Sequence, residues 1–151
     1  MTSHPDPFDL KTILSVTIHW EQDLVIARQR ARQLSTLLGF SHQDQTRIAT
    51  AVSEIVRNAY EYAKGGRLDF SIDLRARPQF LWMQVSDHGP GIRDIGSVLG
   101  GGYISSTGMG VGLVGTSRLM DEFHIVSSPD RGTTIRFGKP IPAGAKPVEM
   151  V

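Results

Sequence analysis

The stretch DHGPGIRDIGSVLGGGYISSTGMGVGLVG, residues 87–115, holds most of the chain's sixteen glycines. It opens on Asp87-His88-Gly89-Pro90-Gly91, directly after an alternating apolar run from Phe80 to Val85. It closes on Gly108-Met109-Gly110-Val111-Gly112, directly before a helix-like apolar run from Leu113 to Met120. A strand ending in an acid and a Gly-Pro-Gly turn puts the Asp87 carboxylate at a sheet edge, beside backbone that can approach a ligand closely. Glycines that open a helix leave unpaired N–H groups facing an anion at the positive end of the helix dipole. One half suits a neutral ring with a hydrogen-bond donor and the other suits phosphates. The stretch therefore reads as a nucleotide site, with a glycine-rich loop over residues 92–107 expected to act as a mobile lid. The pattern is neither G-x-x-x-x-G-K-[ST] nor G-x-G-x-x-G, so a P-loop and a dinucleotide fold are both disfavoured.

Composition narrows the classes around that stretch. The 151 residues suffice for one domain with a real core. With 16 basic and 15 acidic side chains, the net charge of +1 calls for neither nucleic acid nor a membrane surface. The absence of cysteine excludes disulfides, thiolate metal sites and cysteine nucleophiles. The opening MTSHPDPFDL lacks the apolar core of a signal peptide, and no apolar run reaches membrane-spanning length, so a cytoplasmic protein is expected.

Residues 1–11 read as a flexible N-terminus, 12–138 as the folded domain and 139–151, with three prolines, as a flexible tail. Residues 12–20 alternate as a first strand. An amphipathic helix follows over 21–38, its stripe made by Leu24, Ala27, Ala31, Leu34 and Leu38, with Gly39 as a left-handed cap. Arg28, Arg30 and Arg32 lie off that stripe, as a solvated face or as a basic patch for a partner. Ser41 with Asp44 reads as a cap for a second helix over 43–63, whose stripe is Ile48, Val52, Ile55, Ala59 and Ala63 and which Gly65-Gly66 stops. Glu54 and Asn58 lie four apart, one above the other on a single face of this helix. Strands follow over 67–75 and 80–86 as an antiparallel hairpin. A third helix spans 109–120, then come strands over 121–127 and 133–137. The order predicts an α+β fold: a two-layer sandwich with a mixed, mostly antiparallel sheet and helices on one face.

Three elements thus stand in order: Glu54-x-x-x-Asn58-Ala59 on a helix, Asp87-x-Gly89-x-Gly91, and Gly108-x-Gly110-x-Gly112-Leu113. Gly132-Thr133-Thr134 on the last strand is a fourth. In this the chain resembles the GHKL (Bergerat-fold, HATPase_c) ATPase superfamily over roughly residues 12–137. Within it, the chain resembles the small bacterial switch-protein and anti-sigma-factor serine/threonine kinases of the RsbT and RsbW type. The residues that carry this are Gly39-Phe40, the run from Asp44 to Glu54, Gly89-Pro90-Gly91-Ile92-x-Asp94-Ile95, and Arg118-Leu119-Met120-Asp121-Glu122-Phe123.

The resemblance implies ATP and Mg²⁺ as cofactors and a role for each matching residue. Asp87 accepts a hydrogen bond from the adenine amino group, and Gly89 and Gly91 let the backbone close around the ring. Asn58 gives an oxygen to Mg²⁺. Gly108, Gly110 and Gly112 wrap the phosphates, together with the N–H groups that open the third helix around Val111 and Leu113. Thr133 supports the adenine, and Glu54 corresponds to the general base. An amide oxygen with phosphate oxygens and waters is an ordinary magnesium shell. No lysine or arginine occurs from Asp94 to Ser117, so the metal and backbone dipoles are expected to carry the charge stabilisation, with Arg57 or Arg118 as assistants or as plain surface residues. Tyr62 stands where many relatives carry histidine and is read as packing.

The resemblance implies a serine/threonine kinase acting on a STAS-domain antagonist or scaffold. A second reading is an ATP-dependent binding module that holds a sigma factor or activates a PP2C-type phosphatase. A third is the catalytic fragment of a histidine kinase, for which residues before 12 offer no phospho-accepting helix pair.

Overall fold

The computed structural model describes residues 10–90 and 109–142. Five strands form one sheet in the order β1-β2-β3-β5-β4. They are β1 (Leu10–Ile18), β2 (Gly66–Asp73), β3 (Phe80–Ser86), β4 (Glu122–Ser128) and β5 (Gly132–Pro140). All four pairings are antiparallel, so the parallel component of the expected mixed sheet is not found among the described residues. Between β1 and β2 the chain makes α1 (Gln22–Leu37) and α2 (His42–Ala63), and α3 (Met109–Leu119) precedes β4.

The core follows from two periodicities meeting. Leu68, Phe70 and Ile72 on β2 alternate with polar neighbours, Leu81, Met83 and Val85 take every second position of β3, and all six are buried. Ile48, Val52, Ile55, Val56 and Ala59 repeat at helical spacing on α2 and belong to the same core cluster. Burying each large apolar side chain is worth about 1.5–3 kcal/mol, so α2 is held chiefly by this face. Ala27, Ala31 and Leu38 of α1 are buried in the cluster as the stripe predicts, and Leu24 and Leu34 pack against it.

The helix ends follow local chemistry. Ser41 Oγ accepts from Asp44 N at 3.1 Å and caps α2. Gly39, at φ 83°, closes the turn after α1. Lys64, rather than a glycine, takes the left-handed position after α2, at φ 63°. Gly65 (φ 135°) then brings the chain against the Ile18 carbonyl, and Gly66 opens β2.

Both ends of the sheet differ from the sequence reading. β1 begins at Leu10 and stops at Ile18 instead of spanning 12–20. The Asp23 carboxylate takes the N–H groups of Trp20 (2.8 Å) and His19 (2.9 Å) out of the strand ladder and turns the chain into α1. Those bonds, Trp20 first and then His19, hold the Asp23 carboxyl below its ordinary range. At the other end, the tail expected from residue 139 is strand through Pro140, which pairs with Phe80. Lys139 is buried because its Nζ donates to Asp121 Oδ2 at 2.8 Å and lies 3.7 Å from Asp44 Oδ1. Ile141 is also buried, with its N–H on the Gln79 carbonyl.

Candidate nucleotide site

β3 ends at Ser86 and delivers Asp87 where β5 begins. The Asp87 N–H donates to the Thr133 carbonyl at 2.9 Å, and the Thr133 N–H returns to Asp87 Oδ1 at 3.2 Å. Gly89 N–H donates to the same Oδ1 at 2.9 Å. One carboxylate oxygen is thus an anchor fixed by two backbone donors. The other, Oδ2, takes no hydrogen bond among the described residues and is the acceptor on offer. Gly132 makes this geometry accessible: its φ is 82°, and a side chain there would collide with the Asp87 carbonyl. Gly89 lies equally close to α2, since a Cβ on it would meet the Cβ of Ala63.

Glu54 and Asn58 do share a face of α2, four residues apart. The start of α3 lies against that face. A Cβ at Gly112 would overlap Glu54 Oε1 and sit 3.1 Å from its Cδ, so only glycine lets helix and carboxylate touch. Arg57 Nη1 holds Oε2 at 3.0 Å. Asn58 is 9% exposed, and its Nδ2 is buried without a hydrogen-bond partner among the described residues. Ser53 Oγ, one residue before Glu54, is buried without a partner among them as well. Buried polar groups are ordinarily paired, so the Asn58 amide, on the face it shares with Glu54, is where a polar partner is missing from the bonding pattern.

The other residues of the site are held by the packing and bonding around them. Leu113 is 1% exposed and pins α3 to the core. Thr116 Oγ1 bonds the Gly112 carbonyl at 2.8 Å within the same helix. Thr133 is buried, and its hydroxyl bonds Ser127 Oγ at 2.8 Å, so its link to Asp87 runs through its backbone. Gly110 and Val111 are in α3. Gly91, Gly108 and the expected lid over 92–107 lie outside the described residues. Arg118 is in the last turn of α3, away from the helix N-terminus. Sequence reasoning missed Ala63 and Ser127 as parts of the site, and it placed Gly132 in the Gly132-Thr133-Thr134 motif without giving it a role.

Among the described residues, no group of three His, Cys, Asp or Glu side chains could hold a metal ion. A cation here would rest on the Asn58 amide and on oxygens brought by the ligand, as hard cations with few protein ligands do.

A carboxylate acceptor at a strand end, a glycine-containing helix start and an acid–amide pair on a facing helix define a nucleotide-binding α+β sandwich. The chain belongs to the histidine kinase-, DNA gyrase B- and HSP90-like ATPase family, whose model matches residues 43–143. It is 43% identical over 121 residues to the serine/threonine-protein kinase RsbT of Bacillus subtilis, covering 80% of this chain and 91% of that one. It is 34% identical over 101 residues to the anti-sigma F factor of B. subtilis, covering 62% of this chain and 68% of the other. The histidine kinase domain of the Erythrobacter litoralis EL346 blue-light activated histidine kinase superposes with a TM-score of 0.47 at 16% identity, over 88% of this chain and 68% of that chain.

Proposed function

We propose that the chain is an ATP-dependent serine/threonine protein kinase of the bacterial switch type. On this reading it transfers the terminal phosphoryl group of ATP to a hydroxyl of a STAS-domain partner protein in the cytoplasm. The observation that carries the reading is the contact of the Glu54 carboxylate with Gly112 at the start of α3, one helical turn from Asn58. It sets a proton acceptor beside the helix end that suits phosphates. The 43% identity to a serine/threonine kinase supports the choice of acceptor.

In this reading Asp87 Oδ2 accepts from the adenine amino group, while Gly89 and Gly132 let backbone close around Asp87. Gly91 joins Gly89 in letting backbone close around the ring, and Gly108, Gly110 and Gly112 wrap the phosphates, with the N–H groups near Val111 and Leu113. Thr133 holds Asp87 in place through its backbone. The Oδ1 of the buried Asn58 amide is an oxygen donor of the kind magnesium takes, and Mg²⁺ bound there would neutralise charge on the phosphate oxygens. Glu54 accepts the proton of the attacking hydroxyl, and Arg57 fixes the orientation of its second oxygen.

The likeness to an anti-sigma factor favours a second reading, in which ATP gates the holding of a sigma factor or the activation of a PP2C-type phosphatase. Labelled ATP with candidate STAS proteins separates the two. A kinase yields an acid-stable phosphoserine or phosphothreonine on the partner. A binding module retains the partner only with ATP and transfers nothing. No helix among the described residues is long and apolar enough to cross a membrane.

A further inference from the structure

The helices pack on the sheet face that carries Leu81, Met83 and Val85. The opposite face carries the alternate residues of the same strands. There a hollow of about 170 Å³ is lined by Asp69, Ser71, Trp82, Gln84 and Arg136, with Leu10 and Thr12 of β1. A second hollow, lined by His124, Val126 and Thr134, adjoins it and shares Arg136.

Two groups in this place are underbonded. Arg136 is half-buried, and its Nε and Nη2 donate only to the neutral Gln84 Oε1, at 3.1 and 2.8 Å. No carboxylate lies within ion-pair distance of it among the described residues, and the nearby Asp69 is held by Arg67 at 2.9 Å. Partly buried charges normally find a counter-charge; Asp69, Asp73 and Glu122 share this face by register, yet none of them pairs with Arg136. Trp82 is 4% exposed, and its Nε1 donates to nothing among the described residues. Orphaned buried N–H groups are rare. A donor and a cation together ask for an anionic acceptor. Val126, 72% exposed on the rim, asks for an aliphatic neighbour.

We propose that this face binds a protein segment that presents a carboxylate side chain next to an aliphatic one. The carboxylate meets Arg136 and the Trp82 indole N–H, and the aliphatic chain covers Val126. The fork of a guanidinium matches a carboxylate better than any other side-chain anion. The site stands on the opposite side of the sheet from Glu54 and is independent of the kinase reading.

Trp82 supplies the readout. The chain has two tryptophans, so Trp20→Phe leaves Trp82 as the only reporter. In that background, acetyl-Leu-Glu-Val-amide should shift the emission saturably. Acetyl-Leu-Gln-Val-amide should bind at least about tenfold more weakly, as should the Glu peptide to Arg136→Gln. ATP binding should not change. Arg136→Lys, which keeps the charge without the fork, should fall between and serves if Arg136→Gln does not fold. Equal affinity for both peptides, no effect at Arg136, no saturable shift, or the same shift from sodium acetate at equal concentration would each overturn the proposal. The chain's own Val148-Glu149-Met150 has the same chemistry. If Glu149→Gln alone changes Trp82 emission without peptide, the hollow belongs to the chain's own end and the partner assignment falls.

Discussion

The two halves of the candidate site are built in opposite ways. Asp87 is bonded before any ligand arrives: its N–H and one carboxylate oxygen engage the backbone of Thr133 and Gly89. Across the site, α2 keeps the Asn58 amide nitrogen and the Ser53 hydroxyl buried and unbonded. The first half is preorganised, as recognition of a rigid ring requires. The second stores a cost of about 1–3 kcal/mol for each unsatisfied group, which a ligand can relieve on binding. On the proposed reading, selectivity for the base lives in the sheet, and coupling of binding to chemistry lives on α2.

Breaking the α2 half at its base has the largest expected effect. Glu54→Gln keeps the shape and the Arg57 contact but removes the proton acceptor. Phosphotransfer to a partner should fall about 10²- to 10⁴-fold, while ATP affinity measured by calorimetry stays near wild type. A wild-type transfer rate in this variant would show that Glu54 is not the base.

A subtler change tests whether α2 is underbonded for function. Asn58→Leu replaces the orphaned amide with an apolar group of similar size. Thermal melts without ligand should show stability unchanged or raised by about 1 kcal/mol, while Mg²⁺-dependent ATP binding is lost. A large drop in the ligand-free melting temperature would mean that Asn58 is a structural residue and would erase the contrast.

The smallest effect belongs to a control far from the chemistry. Ser41→Ala removes the cap on α2 and should cost about 1 kcal/mol, equally with and without nucleotide. If it alters ATP affinity, the α2 face is not preset by its own packing, and the comparison needs a moving helix.

Much of this was legible in the chain because local chemistry decided it. Alternation placed β3 at Phe80–Ser86 and put Asp87 at its end. The left-handed Gly39 and the Ser41 cap bounded α1 and α2. Four-residue spacing put Glu54 and Asn58 on one face. What escaped depends on partners distant in sequence. Lys139 reads as the first residue of a proline-rich tail until Asp121 and Asp44 are brought to it by the fold. Thr133 carries a hydroxyl that looks functional, yet that hydroxyl is taken by Ser127 and its backbone holds Asp87. The Gly112–Glu54 contact joins residues 58 positions apart in sequence, and only the packing of α3 on α2 reveals it.

Calorimetric titration of ATP into Asp87→Asn tests the central claim most directly. The two backbone N–H groups on Oδ1 require an oxygen there, so the new amide NH₂ must take the place of Oδ2 and face the adenine amino group, donor against donor. The fold should persist, and ATP binding should weaken by about 1–3 kcal/mol, roughly five- to 150-fold. A folded Asp87→Asn protein that binds ATP as tightly as wild type would contradict the assignment of the site.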